Sequence, residues 1–88
     1  MKLIFSTQAW EDYLHWGETS PRIRDRINDL IRQAMRTPFN GTGKPEPLRG
    51  DLTGWWSRRI TSEDRMVYRV SGSGADQRLE IAQLRFHY

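Results

Sequence analysis

The sequence predicts an α+β domain in which two N-terminal helices pack on one face of a mainly antiparallel β-sheet, in the order β-α-α-β-β-β. Three observations carry this. Residues 20–36 hold an apolar stripe of helical period, residues 54–88 alternate in the manner of strands, and a loop rich in Gly and Pro separates the two regions. Eighty-eight residues are too few for a second core, so 1–88 reads as one domain.

"KLIFS" is a short, mostly apolar first strand that must enter the same sheet as the later ones. "TQAWEDYLHWGE" places Trp10, Leu14 and Tyr13 on one helical face, and Gly17 is expected to end or weaken that helix. "SPRIRDRINDLIRQAMR" is the clearest element. Ser20 suits the N-cap and Pro21 the first helical position. Ile23, Ile27, Leu30, Ile31 and Ala34 form its apolar stripe. Arg22, Arg26, Arg32 and Arg36 fall off the stripe and read as a solvated face rather than a nucleic-acid contact. Pro38 closes the helix, and "FNGTGKPEPLRGD" reads as loop. It is no P-loop, because Lys44 is followed by Pro45 rather than Ser or Thr.

"GWWSRRIT" and "RMVYRV" are strands joined by the turn "SED". "SGSGADQ" is a looser connection, and "RLEIAQLRFHY" is a third strand or a bent pair. The N-terminus has too short an apolar run for a signal peptide or a membrane span. The chain has no Cys, which excludes disulfides and thiolate metal sites and fits a reducing cytoplasm. A cytoplasmic protein without membrane attachment is therefore expected.

The formal net charge is +3, which permits an anionic partner without demanding one. Twelve of the fourteen basic residues are Arg, whose planar fork grips phosphate or carboxylate with two hydrogen bonds. A GC-rich genome would favour the same bias.

Strand parity sorts the candidates. Trp55, Ser57, Arg59 and Thr61 share one face; Trp56, Arg58 and Ile60 share the other. Met66, Tyr68 and Val70 must face the helices, which turns Arg65 and Arg69 away. On the last strand Arg85 and His87 alternate with Leu84, Phe86 and Tyr88. Arg59, Arg65, Arg85 and His87 then project from the face opposite the helices. Val67, Leu79 and Ile81 fall on this polar parity, so part of that face must be covered.

The hairpin brings Arg59 and Arg65 together, and two guanidiniums on neighbouring strands repel. Either Glu63 or Asp64 neutralises them, or the pair is solvated, or both grip an anionic ligand. His15 reads as a surface or packing residue. His87, facing the Arg cluster, can exchange protons near neutral pH. Two His without Cys make no recognisable metal spacing, so neither metal nor cofactor is expected. Glu46 stands between Pro45 and Pro47, which stiffen its loop; it is either a solvated loop charge or a placed base. A carboxylate, a histidine and several arginines suit cleavage of RNA. The 2′-OH must lose a proton, the pentavalent phosphate must be stabilised, and the 5′-oxygen must gain a proton.

At this point "MKLIFS…AWEDYLHW", "RTPFNGTGKPEPL", "LTGWWSRRITSEDRMVYRV" and the terminal "HY" resemble the YoeB/Txe-type toxins of the RelE/ParE superfamily. The resemblance runs nearly the full length. It implies a ribosome-dependent endoribonuclease that cleaves messenger RNA without a metal. It also implies neutralisation by a cognate YefM/Phd-type antitoxin. By residue match, Glu46 would be the general base and His87 the general acid. Arg59 and Arg65 would stabilise the transition state, and Tyr88 would sit at the site. Lys44, Arg49, Arg58 and Arg85 would be basic contacts to RNA or ribosome; Arg49 stands where relatives often have Lys. Such toxins can form homodimers. Two rival readings are a ParE-like toxin that inhibits DNA gyrase without cutting RNA, and a non-catalytic RNA-binding module.

Overall fold

The computed structural model describes residues 1–87. The chain runs β1 (Lys2–Phe5), α1 (Thr7–Thr19), α2 (Pro21–Arg36), β2 (Glu46–Pro47), β3 (Trp56–Arg59), β4 (Arg65–Ser71) and β5 (Arg78–Gln83). Short 3₁₀ turns occupy Gly50–Leu52 and Gly74–Asp76. The five strands form one sheet in the order β1-β5-β4-β3-β2. Only the β1–β5 pairing is parallel, so the expected α+β architecture with a mainly antiparallel sheet is the one observed.

The core is the expected stripe of α2 set against the inner sheet face. Ile27, Leu30, Ile31 and Ala34 pack with Met66, Tyr68, Leu79, Ile81 and Leu84. Each fully buried aliphatic side chain of this kind stabilises the fold by about 1.5–3 kcal/mol. Among the described residues no helix is long and apolar enough to cross a membrane.

Several boundaries differ from expectation. Helix α1 continues through Gly17 to Thr19. Its terminus is set by Pro21, which drives the preceding Ser20 out of the helical region, to φ −155° and ψ 88°. Ser20 caps α2 through its backbone carbonyl, which accepts from Ile23 and Arg24, and not through its hydroxyl. The side-chain cap occurs one helix earlier: Ser6 Oγ accepts from the Ala9 amide at 3.0 Å. The loop around Glu46 is also more ordered than expected. Two prolines hold it extended, and Glu46–Pro47 pairs as an edge strand with β3, where a missing proline N–H costs no ladder bond.

The largest difference lies in β5. Tyr68 pairs with Ile81, whereas Val67 pairs with Gln83, so Ala82 is an extra residue in the ladder. This bulge resets the alternation. Leu79 and Ile81 face the core, not the polar side, and Leu84 also reaches the core beyond the bulge. The bulge carbonyl is satisfied by Ser6 Oγ, which donates to Ala82 O at 2.7 Å. The ladder then stops at Gln83, and residues 84–87 leave the sheet.

Candidate active site

The site lies on the sheet face opposite the helices. Cross-strand partners point to the same side of a sheet, which makes the register a map of that face. One row reads Glu46, Ser57, Val67, Gln83. Two residues further along, Arg59 stands directly opposite Arg65. Glu46 is thereby a diagonal neighbour of Arg59, at about 7–8 Å between α-carbons in such a ladder. Ser57 and Val67 are buried although they point away from the helices, so the middle of this face is covered, as the apolar Val67 required.

The two arginines differ in their surroundings. Arg59 is exposed, and its amide donates to Gly43 O at 2.7 Å. Gly43 has φ +88°, and a Cβ there would meet Leu30 Cδ2 at 2.9 Å and Arg58 Cβ at 3.1 Å. Only glycine lets the loop come this close, and Lys44 follows in the same left-handed region at φ +51°. The loop thus enters β2 from a fixed point beside Arg59. Arg65 is half-buried, and its Nη1 donates to Thr61 O at 2.8 Å, Asp64 O at 3.1 Å and Ser62 O at 3.3 Å.

Neither Glu63 nor Asp64 neutralises this pair. Among the described residues, the salt bridges are Arg24–Asp25, Arg32–Asp29 and Arg69–Glu80. The contrast with Arg69 is informative, because it lies on the same sheet face. Arg69 sits directly opposite Glu80, bonds it at 2.9 Å and stacks over Trp55 at 4.4 Å. The Arg69 hydrogen bond, with a second from Ser71, holds the Glu80 carboxyl below its usual range. Among the described residues the Arg59–Arg65 pair has no such carboxylate.

His87 arrives by a different route from the one expected. It does not lie on a strand. The segment after Gln83 is held by side chains instead of a ladder. Asp12, buried in α1, accepts from Leu84 N at 3.0 Å, and Trp16 Nε1 donates to Leu84 O at 2.8 Å. Phe86 N donates to Asp64 Oδ1 at 2.7 Å, and Arg65 N donates to Phe86 O at 3.1 Å. His87 therefore starts one peptide beyond a contact with the first residue of β4. It is exposed. Tyr88, the other expected residue here, lies outside the described residues.

The expected basic contacts divide. Lys44 is exposed beside Arg59, and Arg49 is exposed at the far end of β2, just before the first 3₁₀ turn. Arg85 is half-buried, with its guanidinium 4.6 Å over the Phe86 ring. Arg58 must be corrected. It points inward, is 0% exposed, and donates to Tyr68 Oη and to the carbonyls of Thr37, Asn40 and Thr42. Parity had placed it with Trp56 and Ile60. A guanidinium that is itself fully buried, with its donors committed to a phenol and to main-chain carbonyls, cannot contact RNA. Asp12 and Trp16 are the residues that sequence reasoning missed, and Asp64 was read only as a partner for the arginines; all three act on backbone atoms far away in sequence, and no local motif marks them.

The arrangement sets two arginines directly opposite each other, with the Glu46 carboxylate diagonal to Arg59 and His87 one residue beyond the Phe86 carbonyl that accepts from the Arg65 amide. A family model described as the YoeB-like toxin of bacterial type II toxin-antitoxin systems matches residues 5–88. The toxin YoeB of Escherichia coli K12 is 56% identical over 88 residues, with both chains covered completely. A structure described as a YoeB/ParE toxin from Agrobacterium tumefaciens is 62% identical, covers 100% of both chains and superposes with a TM-score of 0.96. YoeB of Staphylococcus aureus, 38% identical over 100% of this chain and 98% of its own, superposes at 0.89 as a dimer and 0.87 in a complex with YefM.

Proposed function

The chain belongs to the YoeB-like toxins of bacterial type II toxin-antitoxin systems, and we propose that it acts as a metal-independent, ribosome-dependent endoribonuclease on messenger RNA. The observation that carries the reading is the Arg59–Arg65 opposition on the sheet face away from the helices. Like charges placed directly opposite destabilise a sheet. A dianionic pentavalent phosphate between them would reverse the sign of that interaction.

In this mechanism Glu46 takes the proton of the 2′-OH, and the 2′-oxygen attacks the adjacent phosphorus. The P–O5′ bond breaks, leaving a 2′,3′-cyclic phosphate. His87 gives its proton to the departing 5′-oxygen. Arg59 and Arg65 hold the charge that builds on the non-bridging oxygens, and Tyr88 completes the site. Lys44, Arg49 and Arg85 contact RNA or ribosome. Few groups bind the message, and the net charge is only +3. The ribosome therefore supplies much of the substrate positioning. The S. aureus relative's complex with YefM and its dimer support a cognate YefM-type antitoxin and a homodimer here. The protein works in the cytoplasm, with its substrate.

The test is cleavage of ribosome-bound message, with a matched message carrying a single 2′-deoxynucleotide at the cut position. The first should yield a 2′,3′-cyclic phosphate end, and the second should stay intact. Cleavage of both would exclude 2′-OH attack. Intact message together with gyrase inhibition would favour the ParE-like alternative.

A further inference from the structure

We infer that Asp64 is a positioning residue that aims the His87 segment through Phe86; the inference rests on the nuclease reading for its catalytic meaning. Phe86 has φ +63°, a region that bulky residues rarely occupy. The residue is 60% exposed, so core packing does not account for the conformation. Such backbone persists only where neighbours over-determine it. Two neighbours do so here. Asp64 Oδ1 takes the Phe86 amide and the Arg65 amide takes the Phe86 carbonyl, so consecutive residues of the hairpin grip both backbone polar groups of one residue and fix the peptide planes on either side of it.

Asp64 is itself fixed. Thr61 Oγ1 donates to Asp64 Oδ2 at 2.8 Å and accepts from the amides of Glu63 and Asp64. The carboxylate is thus held at the hairpin turn before it reaches the tail. The same turn supplies the Thr61, Ser62 and Asp64 carbonyls that hold Arg65 Nη1. One turn therefore sets both the arginine and the segment that brings the histidine. A strand would have placed residue 87 by the ladder. Beyond the Ala82 bulge and the ladder's end at Gln83, this carboxylate substitutes for it.

The experiment compares wild type, Asp64→Ala, Asp64→Asn, His87→Gln and the Asp64→Ala/His87→Gln double variant. Backbone amide dynamics of residues 84–87 are measured by NMR on each, with single-turnover cleavage of ribosome-bound message alongside. Asp64→Ala should loosen residues 85–87 and lower the saturating single-turnover rate constant about 100-fold, the typical cost of an ångström of misplacement, with the half-saturating concentration unchanged. Asp64→Asn keeps an oxygen for the Phe86 amide and should retain most of both properties. In the His87→Gln background Asp64→Ala should cost nothing further, because the group being aimed is gone. Unchanged tail dynamics in Asp64→Ala would overturn the inference whatever the activity, as would an equal loss in the His87→Gln background. A wild type that cuts no message while Asp64→Ala loosens the tail would overturn the nuclease reading and uphold the clamp.

Discussion

Arg58 Nε lies 3.0 Å from Tyr68 Oη in the core, and that phenol donates onward to Pro38 O at 2.6 Å. A charged side chain without a carboxylate is thus dispersed over one hydroxyl and three backbone carbonyls. Those carbonyls belong to the turn after α2, residues 37–42, which leads into the Lys44–Glu46 stretch. Arg58 fastens that turn to the sheet from below. Arg58→Met should destabilise the fold by about 3 kcal/mol, because the buried bond to Tyr68 and three bonds to loop carbonyls are lost at once. Arg58→Lys should recover little, since an ammonium cannot span acceptors set for a planar fork. Urea unfolding of each variant measures both.

Tyr68 makes stability sensitive to alkali. Burial raises its pKa above the usual 10.0, outweighing the hydrogen bond and charge of Arg58, which lower it. The folded state keeps the proton after the unfolded chain has begun to lose it. Stability from this group is therefore complete below pH 10 and is lost as pH rises through the folded value. Melting temperature should fall steeply above pH 10. Tyr68→Phe should be less stable at neutral pH, having lost the bonds to Arg58 and Pro38, but should show a flatter decline in alkali.

Much of this molecule was legible in sequence because period and burial agree. The stripe of α2 is unbroken, and it forms the core as expected. The β3–β4 register followed from a short turn between two clear strands, and with it the Arg59–Arg65 opposition. Arg58 was misjudged as an RNA contact even though parity pointed it inward. Its acceptors are main-chain carbonyls of a loop, which no side-chain pattern announces. The path of His87 was misread for a related reason. A one-residue bulge at Ala82 is invisible to alternation, yet it shifts parity for everything near it. Past it, Asp12, Trp16 and Asp64 hold backbone atoms from sequence distances of 72, 68 and 22 residues.

Arg59→Ala and Arg65→Ala should each lower cleavage of ribosome-bound message by about 10²–10³, the usual loss for one donor to a developing anion. They should differ in stability. Arg59 is exposed, so its removal should relieve repulsion and leave the melting temperature level or slightly raised. Arg65 braces the hairpin carbonyls, so its loss should lower it. Circular dichroism melts beside the kinetics separate the two contributions. Wild-type cleavage by either variant would remove that arginine from the site.

The acid and base can be told apart by changing the leaving group. A message with sulfur in place of the bridging 5′-oxygen at the cut position departs as a thiolate, and a free thiol has a pKa of about 8.5. Such a leaving group needs no proton. His87→Gln is similar in size but cannot act as an acid, so it should fail on the ordinary message and regain most of its rate on the sulfur-bridged one. Glu46→Gln loses the group that accepts the 2′-OH proton. That step is the same in both messages, so this variant should stay slow on each. The comparison needs only ratios of single-turnover rates, which cancel differences in ribosome binding between variants. Rescue of Glu46→Gln instead of His87→Gln would exchange the two assignments. Equal impairment of His87→Gln on both messages would mean that His87 positions RNA and does not protonate the 5′-oxygen.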